Sequence, residues 1–173
     1  TAAGVANAAE RAVDVVYVGR LIAEKRVDVL IRAIAMLAER RPAVRCVVIG
    51  DGPERGRLEA LVRELGVSEQ VAITGRLPGD EVPRRLGSAR MLAMPSAREG
   101  YGITVVEGQA AGAVPIVALS PLSAAADLVV DGVDGLVVDG SADAFAHAIA
   151  GLLDDPDRLE TLSHGAQAAA ASR

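Results

Sequence analysis

The chain has 173 residues, 51% of them hydrophobic and 24% charged, the balance of a folded globular domain with a sizeable core and not of a disordered segment. A net charge of −5 at pH 7 argues against a nucleic-acid partner or an anionic membrane held by bulk positive charge. A single cysteine, Cys46 in the apolar run VRCVVIG, excludes an internal disulfide framework, and no apolar run reaches bilayer-spanning length, so a cytoplasmic location is expected.

The chain opens on Thr1, and residues 1–12 read as a linker or remnant of a longer polypeptide lacking the apolar stretch of a signal peptide. The domain itself is expected over 13–173. VDVVYVG (13–19) is the first strand-length apolar run. EKRVDVLIRAIAMLAERRP follows with Val27, Leu30, Ile31, Ile34 and Leu37 on one helical stripe, stopped by Pro42. A second strand at 44–50 leads into PERGRLEALVRELG, whose stripe is Leu58, Leu61, Val62 and Leu65, with Gly66 positioned to end the helix. Further strands are expected at 70–74, 90–94 and 114–118, with a helix starting near Ile103, and a last strand at 135–138. SADAFAHAIAGLLDD opens on a capping Ser141 and turns Phe145, Ala148, Ile149 and Leu152 inward, and a final helix begins near 156 and frays through its alanine-rich end.

The strands are Val- and Ile-rich and mostly do not alternate with polar residues, as strands covered on both faces must be. Alternation of strand and helix implies βαβ units, hence an α/β, Rossmann-like, doubly wound parallel sheet with helices on both faces. Ligands of such sheets bind where the strands end, which directs attention to the loops that follow strands.

GDGPERG (50–56) lacks the G-x-G-x-x-G spacing, and the next strand ends at Thr74 and Gly75 without an acid for a ribose, so a dinucleotide site is disfavoured and a tight strand-to-helix turn accounts for the residues. GRLIAEK brings Arg20 and Lys25 beside Gly19 at a strand end. Two cations there suit a diphosphate, although taken alone they are better explained as solvated surface residues. AREGYGITVVEGQAAG is the most informative stretch. Gly100 and Gly102 let backbone N–H groups approach a ligand, and the helix after them presents its positive end to an anion. Glu99 can accept hydrogen bonds from sugar hydroxyls, and Glu107, one turn into the helix, is expected to turn back toward the same cleft and to suit a ribose diol. Its apolar surroundings suggest burial, which an acid without a ligand would tolerate poorly. Asp127 has no assigned direction, and His147 and His164 lack metal-ligand spacing and read as surface residues.

In order, GRLIAEKRVDVLIRA, VVIGDGPERGRLEAL, VAITGRLP, PSAREGYGITVVEGQAAGAVPIVA and DGVDGLVV resemble the C-terminal, donor-binding half of the retaining, GT-B-fold glycosyltransferases of family GT4. The two glutamates with seven residues between them, Glu99 and Glu107, match that family's signature. The resemblance implies that Arg20 and Lys25, with Gly19, hold the donor diphosphate, and that Gly75, Arg76 and Leu77 contact the base. It gives Glu99 the transferred sugar, the Gly100, Tyr101, Gly102, Ile103 and Thr104 segment sugar and phosphate, and Glu107 the ribose. It also implies a nucleotide-diphosphate sugar as substrate, no metal and no other cofactor. The acceptor would be held by an absent N-terminal domain, through which any membrane contact would come, and the fragment alone would be inactive. Other readings of the same residues are a GT-B sugar-nucleotide epimerase and a non-catalytic nucleotide-binding or assembly module. Arg26 stands where the family commonly has glycine, and Asp127 where a glutamate is frequent.

Overall fold

Burial on both faces explains why the strands are runs of Val, Ile, Leu, Ala and Met. The computed structural model describes residues 7–173. The elements are β1 (Val13–Val18), α1 (Val27–Ala38), β2 (Cys46–Ile49), α2 (Arg55–Glu64), β3 (Val71–Gly75), α3 (Glu81–Gly87), β4 (Ala89–Met94), α4 (Ile103–Ala110), β5 (Val114–Ala118), β6 (Leu136–Val138), α5 (Ala142–Asp154) and α6 (Pro156–Ala171). All strand pairs are parallel, in the order β3-β2-β1-β4-β5-β6. Chain direction across the sheet therefore reverses between β1 and β4, and the crevice beyond their carboxyl ends is the place such sheets offer a ligand. The expected doubly wound α/β fold is the fold observed.

Alternate strand residues feed two cores. On one side Val15, Tyr17 and Cys46 pack with Leu30, Ile34, Leu58, Phe145 and Ile149; on the other, Val16, Leu92 and Val117 meet Leu86 and Val105. The stripe predicted for α1 is buried in full. Ser141 caps α5 by accepting from the Ala144 N–H at 3.1 Å, and Gly66 sits at φ 69° immediately beyond α2, where a left-handed residue ends a helix. The second strand begins at Cys46 and not at residue 44, because Val44 N–H turns back to the Arg41 carbonyl at 3.0 Å. The final helix runs unbroken to Ala171.

Half of the segment expected as a linker, residues 1–6, lies outside the described residues. Of the remainder, Ala8 is buried with its N–H donating to Glu160 at 2.7 Å, and the buried Arg11 donates to the Ala89 carbonyl at 3.0 Å. These two contacts tie the entering chain to α6 and to the start of β4. Helix α3 is the element with no counterpart among the expectations. EVPRRLG carries a proline and four charged or small residues over a single buried side chain, Leu86, too little for a periodic stripe to show.

Candidate functional site

Two loops meet at the switch point. After β1 the chain makes a 3-10 turn at Ala23–Lys25, and after β4 it runs through Pro95–Gly102 to α4. The Ala97 N–H donates to the Glu24 carbonyl at 2.9 Å, joining the two. The loop after β5 closes on them from the other side. Glu99 N–H donates to the Leu122 carbonyl at 3.2 Å, Ala124 N–H to the Glu99 carbonyl at 2.9 Å, and Ser120 Oγ to the Ala97 carbonyl at 2.6 Å. The backbone of Glu99 is thus held as a strand residue would be, in a parallel bridge with Ser123.

Within that frame Lys25 Nζ lies 2.5 Å from Glu99 Oε2 and 3.3 Å from the Arg98 carbonyl. The two side chains retain only 15% and 18% of their exposure. A charge pair this sheltered interacts through a lower dielectric than water, and each partner depends on the other for neutralisation. Glycine at 102 adopts φ 64°, a left-handed turn that glycine takes without strain, and a Cβ there would fall 2.5 Å from the tip of Leu128. The first N–H groups of α4 have no partner within the helix and face the loop. Tyr101 (84% exposed) and Ile103 (63%) turn their side chains to solvent, leaving backbone as what this segment offers a ligand.

Gly19, Arg20, Arg76 and Leu77 share a second place. With Gly50, Asp51 and Val82 they line a cleft of about 230 Å³ over the ends of β1, β2 and β3. Gly75 beside it is at φ 76°, with the Arg55 guanidinium 2.8 Å from where its Cβ would be. Arg55 in turn reaches Asp51 at 3.1 Å and Glu59 at 2.9 Å. The Gly52 N–H, followed by Arg55, holds the Asp51 carboxyl below its ordinary value.

Glu107 departs from expectation. It is exposed, makes no side-chain hydrogen bond among the described residues, and borders an apolar groove of about 550 Å³ with Pro83, Leu86, Ala110 and Gln167. The buried face of α4 is Val105, Gly108 and Gln109. Glu107 falls on the opposite stripe, one turn below Ile103. The apolar character of ITVVEGQAAG reflects that other face, so the predicted burial of Glu107 is not found. The structure therefore brings Lys25 to Glu99 and Arg20 to Arg76, and puts Glu107 in the groove with Pro83, whose chain neighbour Val82 lines the second cleft. Asp127 is exposed in a turn at Ala126–Leu128, and among the described residues no group of three or more His, Cys, Asp or Glu side chains is placed to hold a metal ion.

Sequence reasoning missed the use of Gly50 and Gly52. A Cβ on either would lie 1.8 Å from the Gly19 carbonyl or 2.4 Å from that of Leu21, so GDG is glycine-rich to let the β1 loop lie against it. It also missed the strain at Arg26, the one non-glycine residue with positive φ among the described residues (φ 50°, ψ 41°). That conformation costs a side-chain-bearing residue about 1–2 kcal/mol and glycine little or nothing. Arg26→Gly is expected to raise Tm by roughly 2 °C, the relief being partly cancelled by greater freedom of the unfolded chain. A thermal melt that shows a fall instead would mean that the Arg26 side chain stabilises the turn.

A parallel sheet in this order, with glycine-rich loops meeting at its switch point, defines a Rossmann-like, doubly wound α/β domain. The family model for glycosyl transferases group 1 matches residues 4–169, and the chain belongs to that family. It is 38% identical over 156 residues to the GDP-mannose-dependent alpha-(1-6)-phosphatidylinositol monomannoside mannosyltransferase of Mycolicibacterium smegmatis, covering 86% of this chain and 40% of that protein. It is 36% identical over 168 residues to the D-inositol 3-phosphate glycosyltransferase of Salinispora tropica, covering 91% and 34%. Among solved structures, Anabaena HepE in complex with UDP superposes with TM-score 0.84 at 27% identity over 98% of this chain and 46% of that one. The C-terminal domain of a group 1 glycosyl transferase from Francisella tularensis shares the fold, with TM-score 0.84 at 21% identity over 93% of this chain and 85% of that one. The fold is thus that of the C-terminal half of a GT-B glycosyltransferase, and the chain spans well under half the length of the curated relatives it matches. Among the described residues no helix is long and apolar enough to cross a membrane.

Proposed function

We propose that the chain is the donor-binding domain of a retaining glycosyltransferase that moves a sugar from a nucleotide-diphosphate sugar to an acceptor. The observation that carries this reading is the sheltered Lys25–Glu99 pair at the switch point, 2.5 Å apart and fixed by the β5 loop. On this reading Lys25 is the cation for the diphosphate and Glu99, beside it, accepts hydrogen bonds from sugar hydroxyls. Arg20 supplies a second cation, and the backbone of Gly100 through Thr104 at the start of α4 adds N–H donors and a positive helix end. Gly19 lets the chain come close, while Gly75, Arg76 and Leu77 border the base. Glu107, exposed beside the α3 residues that adjoin the base cleft, offers its carboxylate to the ribose diol.

Charge that develops on the leaving diphosphate is met by Lys25, Arg20 and the helix terminus, which act without reorganising and without a metal ion. Acceptor contacts fall to the remainder of the polypeptide. The 173 residues alone therefore bind donor weakly and do not transfer sugar. One relative is a GDP-mannose-dependent enzyme and one structural neighbour is in complex with UDP, so both bases belong in the test. Calorimetric titration of the chain with UDP, GDP and ADP is expected to show saturable binding of one of them, weakened about tenfold by Glu107→Ala through loss of charge-assisted hydrogen bonds to the ribose. Absence of saturation with all three would overturn the reading.

A further inference from the structure

We infer that Tyr17 is a positioning residue whose buried hydroxyl sets the height of the Gly19–Leu21 loop and thereby the placement of Arg20. This inference rests on the proposed function for its ligand, although the loop geometry stands independently. Tyr17 is fully buried near the end of β1, and its hydroxyl donates to the Arg20 carbonyl at 3.0 Å. The other largest fully buried side chains, among them Phe145, Leu30, Ile31, Met91 and Ile149, have apolar tips. A hydroxyl placed in that layer is tolerated because it is bonded, and phenylalanine would fill the same volume without needing a partner.

The loop lies between two surfaces that leave it little freedom. Beneath it, a Cβ on Gly19 would stand 2.6 Å from the Tyr17 Oη and 3.0 Å from its ring. Above it, Gly50 and Gly52 abut the carbonyls of Gly19 and Leu21. Gly19 N–H donates to Ile49 at 3.0 Å, Leu21 N–H to Asp51 at 2.9 Å, and Glu54 N–H to Leu21 at 3.0 Å. Gly19 and Leu21 are thus held from the β2 side, while the Arg20 carbonyl between them is held by Tyr17 alone among the described residues. Burial, and then the charge of Glu99, push the Tyr17 phenol above its ordinary value. It stays protonated and remains a donor.

The test compares the chain with its Tyr17→Phe variant by calorimetry against UDP and UMP, or GDP and GMP if the guanine series binds. The loss of one loop-holding hydrogen bond is expected to weaken the diphosphate about fivefold and the monophosphate far less, with the melting curve little changed. Equal losses for both nucleotides, or an unchanged diphosphate affinity, would overturn the inference. Amide hydrogen exchange in the absence of nucleotide gives the second reading. Exchange at Arg20 through Ile22 is expected to accelerate in Tyr17→Phe while β2 and β4 stay protected. Unchanged exchange there would refute the role of the hydroxyl whatever the ligand, whereas failure of the unmodified chain to bind any nucleotide would count against the proposed function.

Discussion

Lys25→Ala is expected to lower the affinity for a nucleoside diphosphate by at least tenfold, and Glu99→Gln to raise it. Opposite signs follow from the geometry of a single pair. In the absence of ligand the Glu99 carboxylate holds Lys25 Nζ at 2.5 Å, with both groups largely shielded from water. A diphosphate that takes Lys25 must compete with that carboxylate. Removing the cation deletes a charge-assisted contact, worth about 1.5–3 kcal/mol or roughly 10–100-fold. Neutralising the acid removes the competitor, and a severalfold gain follows. Glu99→Gln also substitutes an amide donor where sugar hydroxyls need a strong acceptor, so the same variant is expected to lose its preference for the sugar-bearing donor over the bare diphosphate. Titrations of both variants with the nucleoside diphosphate and with its glucose and mannose esters measure all of this. Equal weakening by both substitutions would show that the pair acts as a structural unit and not as rivals for one phosphate.

Gly50→Ala is expected to have the largest effect on stability. The position has φ +146°, and an added Cβ would lie 1.8 Å from the Gly19 carbonyl oxygen, a backbone atom that cannot turn away. Either the β1 loop or the end of β2 must move, with loss of the Gly19–Ile49 hydrogen bond at 3.0 Å and of the Gly50–Gly75 bond at 3.0 Å. Strain of this kind, with hydrogen bonds lost, costs about 3–5 kcal/mol, or a fall in Tm of roughly 10 °C for a domain of this size. Gly56→Ala is the counterpart. Gly56 lies within α2 with nothing inside 4 Å of the added atom, and alanine is expected to stabilise the helix by up to about 1 kcal/mol. Thermal melts of the two variants separate a glycine required by close approach from one that is merely tolerated; a similar Tm for both would refute the assignment.

The sheet was legible because parallel strands carry their signal in composition, and VVYV, CVVI and VPIVA need no partner to be recognised. Helices α1 and α5 were legible through their stripes, and the cap at Ser141 through its chemistry. Helix α3 was hidden by a composition that buries one leucine. At the site, Glu99 and Lys25 could be singled out from their loops, but their mutual bond joins residues 74 apart in sequence and depends on the β5 loop that holds Glu99 from behind. The burial expected of Glu107 is not found because apolarity averaged over a segment does not say which side of a helix carries it. Arg26 shows the converse: its departure from the usual glycine was visible in the sequence, while the left-handed backbone that makes it costly was not. For Tyr17 the available signal was an aromatic residue two positions before the glycine that ends the first strand.

The distribution of aromatics has an optical consequence. The chain contains no tryptophan and two tyrosines, so its intrinsic emission comes from Tyr17 and Tyr101. Tyr17 is shut inside the protein, whereas Tyr101 is 84% exposed on the glycine-flanked loop. A neutral collisional quencher such as acrylamide reaches only the second. Quenching of native fluorescence therefore reports on that loop without any attached dye, and a nucleotide settling against it is read directly as protection of a single side chain.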